Sequence, residues 1–162
     1  MADHLLAHGL GAAQLRALAA AAGTSDRMLL YYFRDKDELL AATLARIAER
    51  LTAILDAALP AGVRLPAPAL QSAVWQAMRS PVLKAYMQLW LELAAGSARL
   101  RSPDRAIAMG IMDGFVAWTM AHLDAGADAE RQAAQLLVSV EGMLFLDAVG
   151  RGDLAALAVP ES

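Results

Sequence analysis

Apolar residues recur at helical spacing along most of the chain, and no stretch alternates apolar and polar residues for long enough to specify a strand. Residues 3–8 predict a short helix that Gly9 and Gly11 break. In AAQLRALAAAA, residues 12–22, Leu15, Leu18 and Ala22 fall on one face, and Gly23 is positioned to end the helix in a left-handed conformation. Ser25 is the expected N-cap of a short helix over 26–33, with Leu29, Leu30 and Phe33 on its inner face. Asp35 caps a long helix over 36–59, Glu38 completes a capping-box pattern, and Pro60 stops it. At 1.5 Å per residue that helix is a rod of about 35 Å. PAGVRLPAP, residues 60–68, is the clearest break. Helical patterns resume at 68–79, 81–98, 104–124 and 128–149, and the short link at 126–129 predicts that the last two run antiparallel. The expected fold class is all-α, with an N-terminal head of three helices over 1–40, its first helix shortened, and a C-terminal helical body over 41–162.

Composition adjusts this picture in three ways. Hydrophobic residues make up 58% of the chain and alanine dominates, which favours helix. There is no cysteine, which excludes disulfides and thiolate metal sites and fits a cytoplasmic location. No run of 18 apolar residues lacks a charge or proline, so no membrane partner is expected, and MADHLLAHGLGAA has no basic region of the kind that opens a signal peptide. The net charge is −3. Within the first fifty residues the bases Arg16, Arg27, Arg34, Lys36, Arg46 and Arg50 are balanced by Asp3, Asp26, Asp35, Asp37, Glu38 and Glu49, so the acidic excess lies in the body.

Residues 12–33 therefore read as two short helices joined by a tight glycine-containing turn, the spacing of a helix-turn-helix. In such a unit the second helix enters the DNA major groove and its first residues meet base edges. Here these are Asp26, Arg27 and Met28. An arginine can bond bidentately to guanine, and an aspartate can accept from the cytosine amino group. Tyr31 and Tyr32 carry hydroxyls long enough to reach phosphates, whereas Phe33 is expected to pack the head. Lys36, at a helix N-terminus, adds its charge to the positive end of the dipole and makes a phosphate site.

LRALAAAAGTSDRMLLYYFRDKDELL, residues 15–40, resembles the DNA-binding head of the TetR family of bacterial repressors. The matching features are Ala22-Gly23, Thr24-Ser25, Leu29, Phe33, Lys36 and Glu38-Leu39. The resemblance implies DNA contacts from Arg16, Ser25, Asp26, Arg27, Met28, Tyr31 and Tyr32, and a phosphate contact from Lys36. The chain departs from the family pattern at four places. Leu30 stands at a position usually held by a phosphate-binding tyrosine, with Tyr31 as substitute; Asp26 replaces a polar or basic residue; Ala13 replaces a capping threonine. Only MADHLLAHG precedes the motif, where the family carries a basic arm and a first helix about twice as long. Either the chain start is misassigned or part of the grip on DNA has been lost, which would weaken binding at every sequence.

The body carries two further sets of residues. Ile107, Ile111, Gly114, Phe115 and Trp118 form one stripe, and Leu136, Leu137, Val140, Met143, Leu144 and Asp147 another. The resemblance implies that this helix pair meets its twin in a four-helix homodimer interface, with Ile111, Gly114, Trp118, Leu136, Val140, Met143, Leu144 and Asp147 in it. Gly110, Gly114 and Gly142 interrupt helices, each at a cost of about 1 kcal/mol relative to alanine, and close helix approach would explain them. Trp75, Met78, Tyr86, Met87 and Trp90, with Met109, Met112 and Phe115, are the candidate lining of a pocket for an unknown small apolar ligand, and Glu92 is a candidate for orienting it. The same residues also suit an ordinary helical core.

His4 and His8 have metal-ligand spacing, but only Asp3 lies near as a third group, and no metal or cofactor is expected. No triad or phosphate loop points to an enzyme. The expectation is a homodimeric one-component transcriptional regulator that binds double-stranded operator DNA and responds to a ligand. The alternative is a similar helical dimer that binds a ligand or protein but no longer holds DNA effectively.

Overall fold

Glycines, prolines and capping side chains divide the chain into its elements. The computed structural model describes residues 1–98, 103–124 and 126–160. Among these residues the helices are α1 (Ala2–His8), α2 (Leu15–Ala21), α3 (Asp26–Tyr32), α4 (Lys36–Ala58), α5 (Ala67–Met78), α6 (Lys84–Ser97), α7 (Pro103–His122), α8 (Ala129–Ala148) and α9 (Gly152–Leu157). No strand occurs among them, and none of these helices is long and apolar enough to cross a membrane.

The local signals act as their chemistry predicts. Gly23 adopts φ 66°, and α2 ends in a paired motif: Gly23 N–H donates to Ala20 O at 3.1 Å and Thr24 N–H to Ala19 O at 3.0 Å. Ser25 Oγ accepts from Met28 N at 3.3 Å and caps α3. Asp35 Oδ1 accepts from Glu38 N at 2.8 Å and caps α4. The return bond of the expected box lands one residue earlier, because Glu38 Oε2 accepts from Arg34 N at 2.6 Å.

Three differences from the sequence reading have physical causes. Helix α2 begins at Leu15 because a 3-10 turn over Leu10–Ala12 uses the residues before it. Residues 81–83 form a turn closed by Leu83 N–H to Ser80 O at 3.0 Å, so α6 starts at Lys84. Helix α9 follows glycines that read as a terminus; it is held by the buried Ala155, and the chain beyond it is bonded by Gln71 Nε2 to Ala158 O (3.4 Å) and Ser72 Oγ to Pro160 O (3.5 Å). The 60–66 link is also tied down: Leu65 N–H donates to His122 O and Asp124 N–H to Leu65 O, both at 2.9 Å, a one-residue bridge that periodicity cannot reveal.

The chain divides into two compact units, Met1–Leu51 with Gln88–Ile111, and Thr52–Met87 with Met112–Ser162. In the first, Leu5, Leu18, Leu29, Leu39, Leu89 and Leu93 are buried. In the second the core includes Leu70, Trp75, Leu83, Leu123, Leu136 and Val140. Each fully buried leucine contributes about 1.5–3 kcal/mol of burial free energy.

Candidate nucleic-acid interface and ligand recess

Helix α3 has one buried anchor, Leu29, which fixes which way the rest of the helix faces. Successive residues turn by about 100°, so Leu30 is directed well away from Leu29. Leu30 is instead 47% exposed, a correction to the expected inner set, while Phe33 caps the helix half-buried. The outward surface consists of Arg27, Met28, Leu30, Tyr31 and Tyr32, with Asp26 half-buried at its edge. Tyr31 and Tyr32 are 78% and 71% exposed, and their rings meet edge to face at 5.1 Å. Two large aromatics left in water on a seven-residue helix are not serving the core of this protomer.

The charges around α3 separate into two groups. Arg34 pairs with Glu38, Arg46 with Glu49 and Arg50 with Asp3. Arg16, Arg27 and Lys36 are exposed and form no ion pair among the described residues. The structure thus brings Ser25, Asp26, Arg27, Met28, Tyr31, Tyr32 and Lys36 onto one short stretch of chain, with Arg16 exposed on α2. Ser25 has its hydroxyl oxygen engaged by Met28 N. Leu30 joins this outward surface, which the sequence reading did not expect; its exposure follows only once Leu29 is known to be the anchor.

Glu92 is bonded within the first unit. Its Oε2 accepts from Leu10 N at 2.6 Å, and both carboxylate oxygens crowd Gly9, where an added Cβ would lie 2.7 and 2.8 Å from them. Gly9 has φ 75° and ψ 178°, a conformation essentially restricted to glycine. Together with the Arg50–Asp3 pair at 2.5 Å, this fixes both ends of α1. His4 and His8 contact each other ring to ring at 4.8 Å, and His4 Nε2 lies 3.4 Å from Ala12 O.

In the second unit a recess of about 350 Å³ is walled by Leu55, Ala58 and Leu59 from α4 and the residue after it, Ala73, Val74, Gln76 and Ala77 from α5, and Trp118 from α7. Trp118 is fixed from two sides. Its Nε1 donates to Asp56 Oδ1 at 2.6 Å, and the His122 ring stacks on it at 4.2 Å and 29°. His122 is itself buried, with Nδ1 bonded to Trp118 O at 2.8 Å and Nε2 without a hydrogen-bond partner among the described residues.

None of the eight residues expected to line a pocket is in this wall. Trp75, Met78 and Met87 are buried, and the guanidinium of Arg79 covers the Trp75 ring at 5.6 Å. Tyr86, Trp90, Met112 and Phe115 are half-buried and Met109 is exposed. Trp90 and Met109 belong to the first unit, the other six to the second.

The expected dimer residues also divide. Leu136, Val140, Met143 and Leu144 are buried in their own protomer, and Trp118 lines the recess. Ile111 is half-buried, while Gly114 and Asp147 are exposed. The opposite face of α8, continued one residue past its end, presents Val138, Gly142, Phe145 and Val149 at helical spacing, with Val138 75% and Phe145 59% exposed. An added Cβ at Gly114 or Gly142 would meet no atom within 4 Å.

A family model described as bacterial regulatory proteins, tetR family, matches residues 2–43. A structure described as a TetR-family transcriptional regulator from Rhodococcus sp. aligns over 98% of this chain and 89% of its own, with TM-score 0.76 and 18% identity, a likeness of fold. A transcriptional regulator from Rhodococcus sp. Rha1 aligns over 94% of this chain and 81% of its own, with TM-score 0.68 and 26% identity. Among curated proteins nothing matches the chain.

Proposed function

The chain belongs to the TetR family of bacterial regulatory proteins, and on that premise we propose that it is a cytoplasmic one-component transcriptional regulator that binds operator DNA as a homodimer and is modulated by a small, mostly apolar ligand. The head is 1–40 and the body 41–162. The observation that carries the DNA reading is the outward surface of α3: Arg27, Met28, Leu30, Tyr31 and Tyr32 exposed around a single buried anchor, followed at once by the unpaired Lys36. Arg27 and Met28 reach base edges, Leu30 packs on a thymine methyl, and Tyr31, Tyr32, Lys36 and Arg16 hold phosphates.

Homodimerisation uses the α7–α8 surface. Gly114 and Gly142 each cost about 1 kcal/mol relative to alanine, and nothing inside the protomer requires them. A second helix approaching closely would. The exposed Val138, Phe145 and Val149 supply apolar area for the same contact.

The recess is the site of modulation. Its α4 wall, Leu55 and Ala58, belongs to the helix whose first residue is Lys36. A ligand that shifts this end of α4 changes the aim of the other. Two heads must sit ~34–36 Å apart to enter successive major grooves, and a coupling of ~1–3 kcal/mol alters affinity roughly 5–150-fold.

The test is a titration of duplex DNA from the region flanking the gene, read by anisotropy, with wild type, Arg27→Ala and Lys36→Ala. Both variants should bind more weakly. Equal isotherms for all three would remove the DNA assignment and leave a helical dimer that serves a ligand or protein partner.

A further inference from the structure

Resting on the proposed ligand site, we infer that the recess selects a flat, uncharged ring system, held against Trp118, with one hydrogen-bonding substituent directed to Gln76. The wall contributes no charged side chain; apart from Gln76 its side chains are aliphatic or the indole of Trp118. A charged ligand placed there would lose hydration without an ionic partner. Asp56, which accepts from the indole N–H at 2.6 Å, would repel an anion placed beside Trp118.

The geometry of Trp118 sets the shape preference. Its N–H is taken by Asp56 and one side of its ring by His122, so the ring cannot rotate out of the way without losing both contacts. The indole surface it offers the recess is therefore a fixed, π-bearing carbon surface. Ala73 and Ala77 place only methyl groups in the α5 part of the wall. The volume, about 350 Å³, lies near the lower end of the ~300–1,000 Å³ range of small-molecule sites. Aromatic pairing adds roughly 0.5–1.5 kcal/mol beyond area burial, which corresponds to about a two- to twelvefold preference over a saturated ring of the same outline.

The experiment titrates 2-naphthol, decahydro-2-naphthol and 2-naphthoate into the full-length protein by calorimetry. The expected order is 2-naphthol tightest, the saturated alcohol at least twofold weaker, and the carboxylate at least tenfold weaker. Trp118→Leu should abolish the preference for the aromatic alcohol. Should Trp118→Leu lose its cooperative melt, Ala73→Leu serves instead; it adds bulk to the recess wall while keeping the indole in place, and should weaken 2-naphthol at least tenfold. Equal affinity for the two alcohols, tighter binding of the carboxylate, or full retention of 2-naphthol by whichever variant folds would overturn the inference. DNA affinity is recorded in the same samples. Binding of 2-naphthol with no effect on DNA leaves this ligand class standing and removes the regulatory reading. DNA binding with none of the selectivity above does the reverse.

Discussion

Lys36→Ala separates DNA contact from stability at a single side chain. Lys36 opens α4, is exposed, and has no ion-pair partner among the described residues. Two residues earlier, Arg34 is engaged by Glu38 through both its backbone N (2.6 Å) and its Nε (3.3 Å). A phosphate can therefore meet Lys36 without competition, whereas Arg34 must first leave its carboxylate. Each phosphate neutralised releases about 0.9 counterion. One lysine per protomer, counted twice in a dimer, should lower the slope of log affinity against log salt by about 1.8. Over a fourfold change in salt, from roughly 50 to 200 mM, the variant's affinity should fall about twelvefold less steeply than that of wild type. Stability should move little and in the opposite direction, since a cation at the positive end of a helix dipole is unfavourable by ~0.3–1 kcal/mol. Anisotropy with a mixed-sequence duplex at five salt concentrations, paired with thermal melts, measures both. Equal slopes for wild type and Lys36→Ala, or the same loss from Arg34→Ala, would refute the assignment.

Other outcomes follow from particular contacts. Gly9→Ala forces a side chain into a glycine-only conformation and against the Glu92 carboxylate, so it should cost ~1–3 kcal/mol in chemical denaturation; an unchanged midpoint would mean the turn relaxes freely. Gly142→Leu adds a side chain where the protomer has open space, so the monomer should keep its helicity while sedimentation equilibrium reports loss of dimer; an unaltered dimer would move the interface elsewhere. Asp56→Ala leaves the Trp118 N–H without its acceptor and should cost about 1–3 kcal/mol, with a change in tryptophan emission; wild-type stability and emission would show that the bond contributes little.

Much of the head was legible in sequence because its signals are local. Gly23, Ser25 and Asp35 act on backbone groups within five residues, so spacing alone identifies their roles. Leu29 and Leu30 were not separable, because two adjacent leucines give no phase until one of them finds a tertiary partner. The same ambiguity governs α8, which is apolar on two faces. Composition could not say that Leu136 and Val140 go to the protomer's own core while Val138 and Phe145 stay in water. The bond that Glu92 accepts from Leu10 N was not legible, because the two residues lie 82 positions apart in the chain. The recess escaped for a related reason. Its wall is mostly alanine and leucine, residues without a chemical signature.

A twofold DNA reader is tested most directly by selection from a pool of randomised 30-base-pair duplexes with the full-length protein, followed by sequencing of the bound fraction. The predicted result is an inverted repeat whose half-site centres lie about one or two helical turns apart, lost when Arg27 and Tyr31 are both replaced by alanine. A bound fraction with no enriched sequence, or a single unrepeated site that survives those replacements, would contradict it.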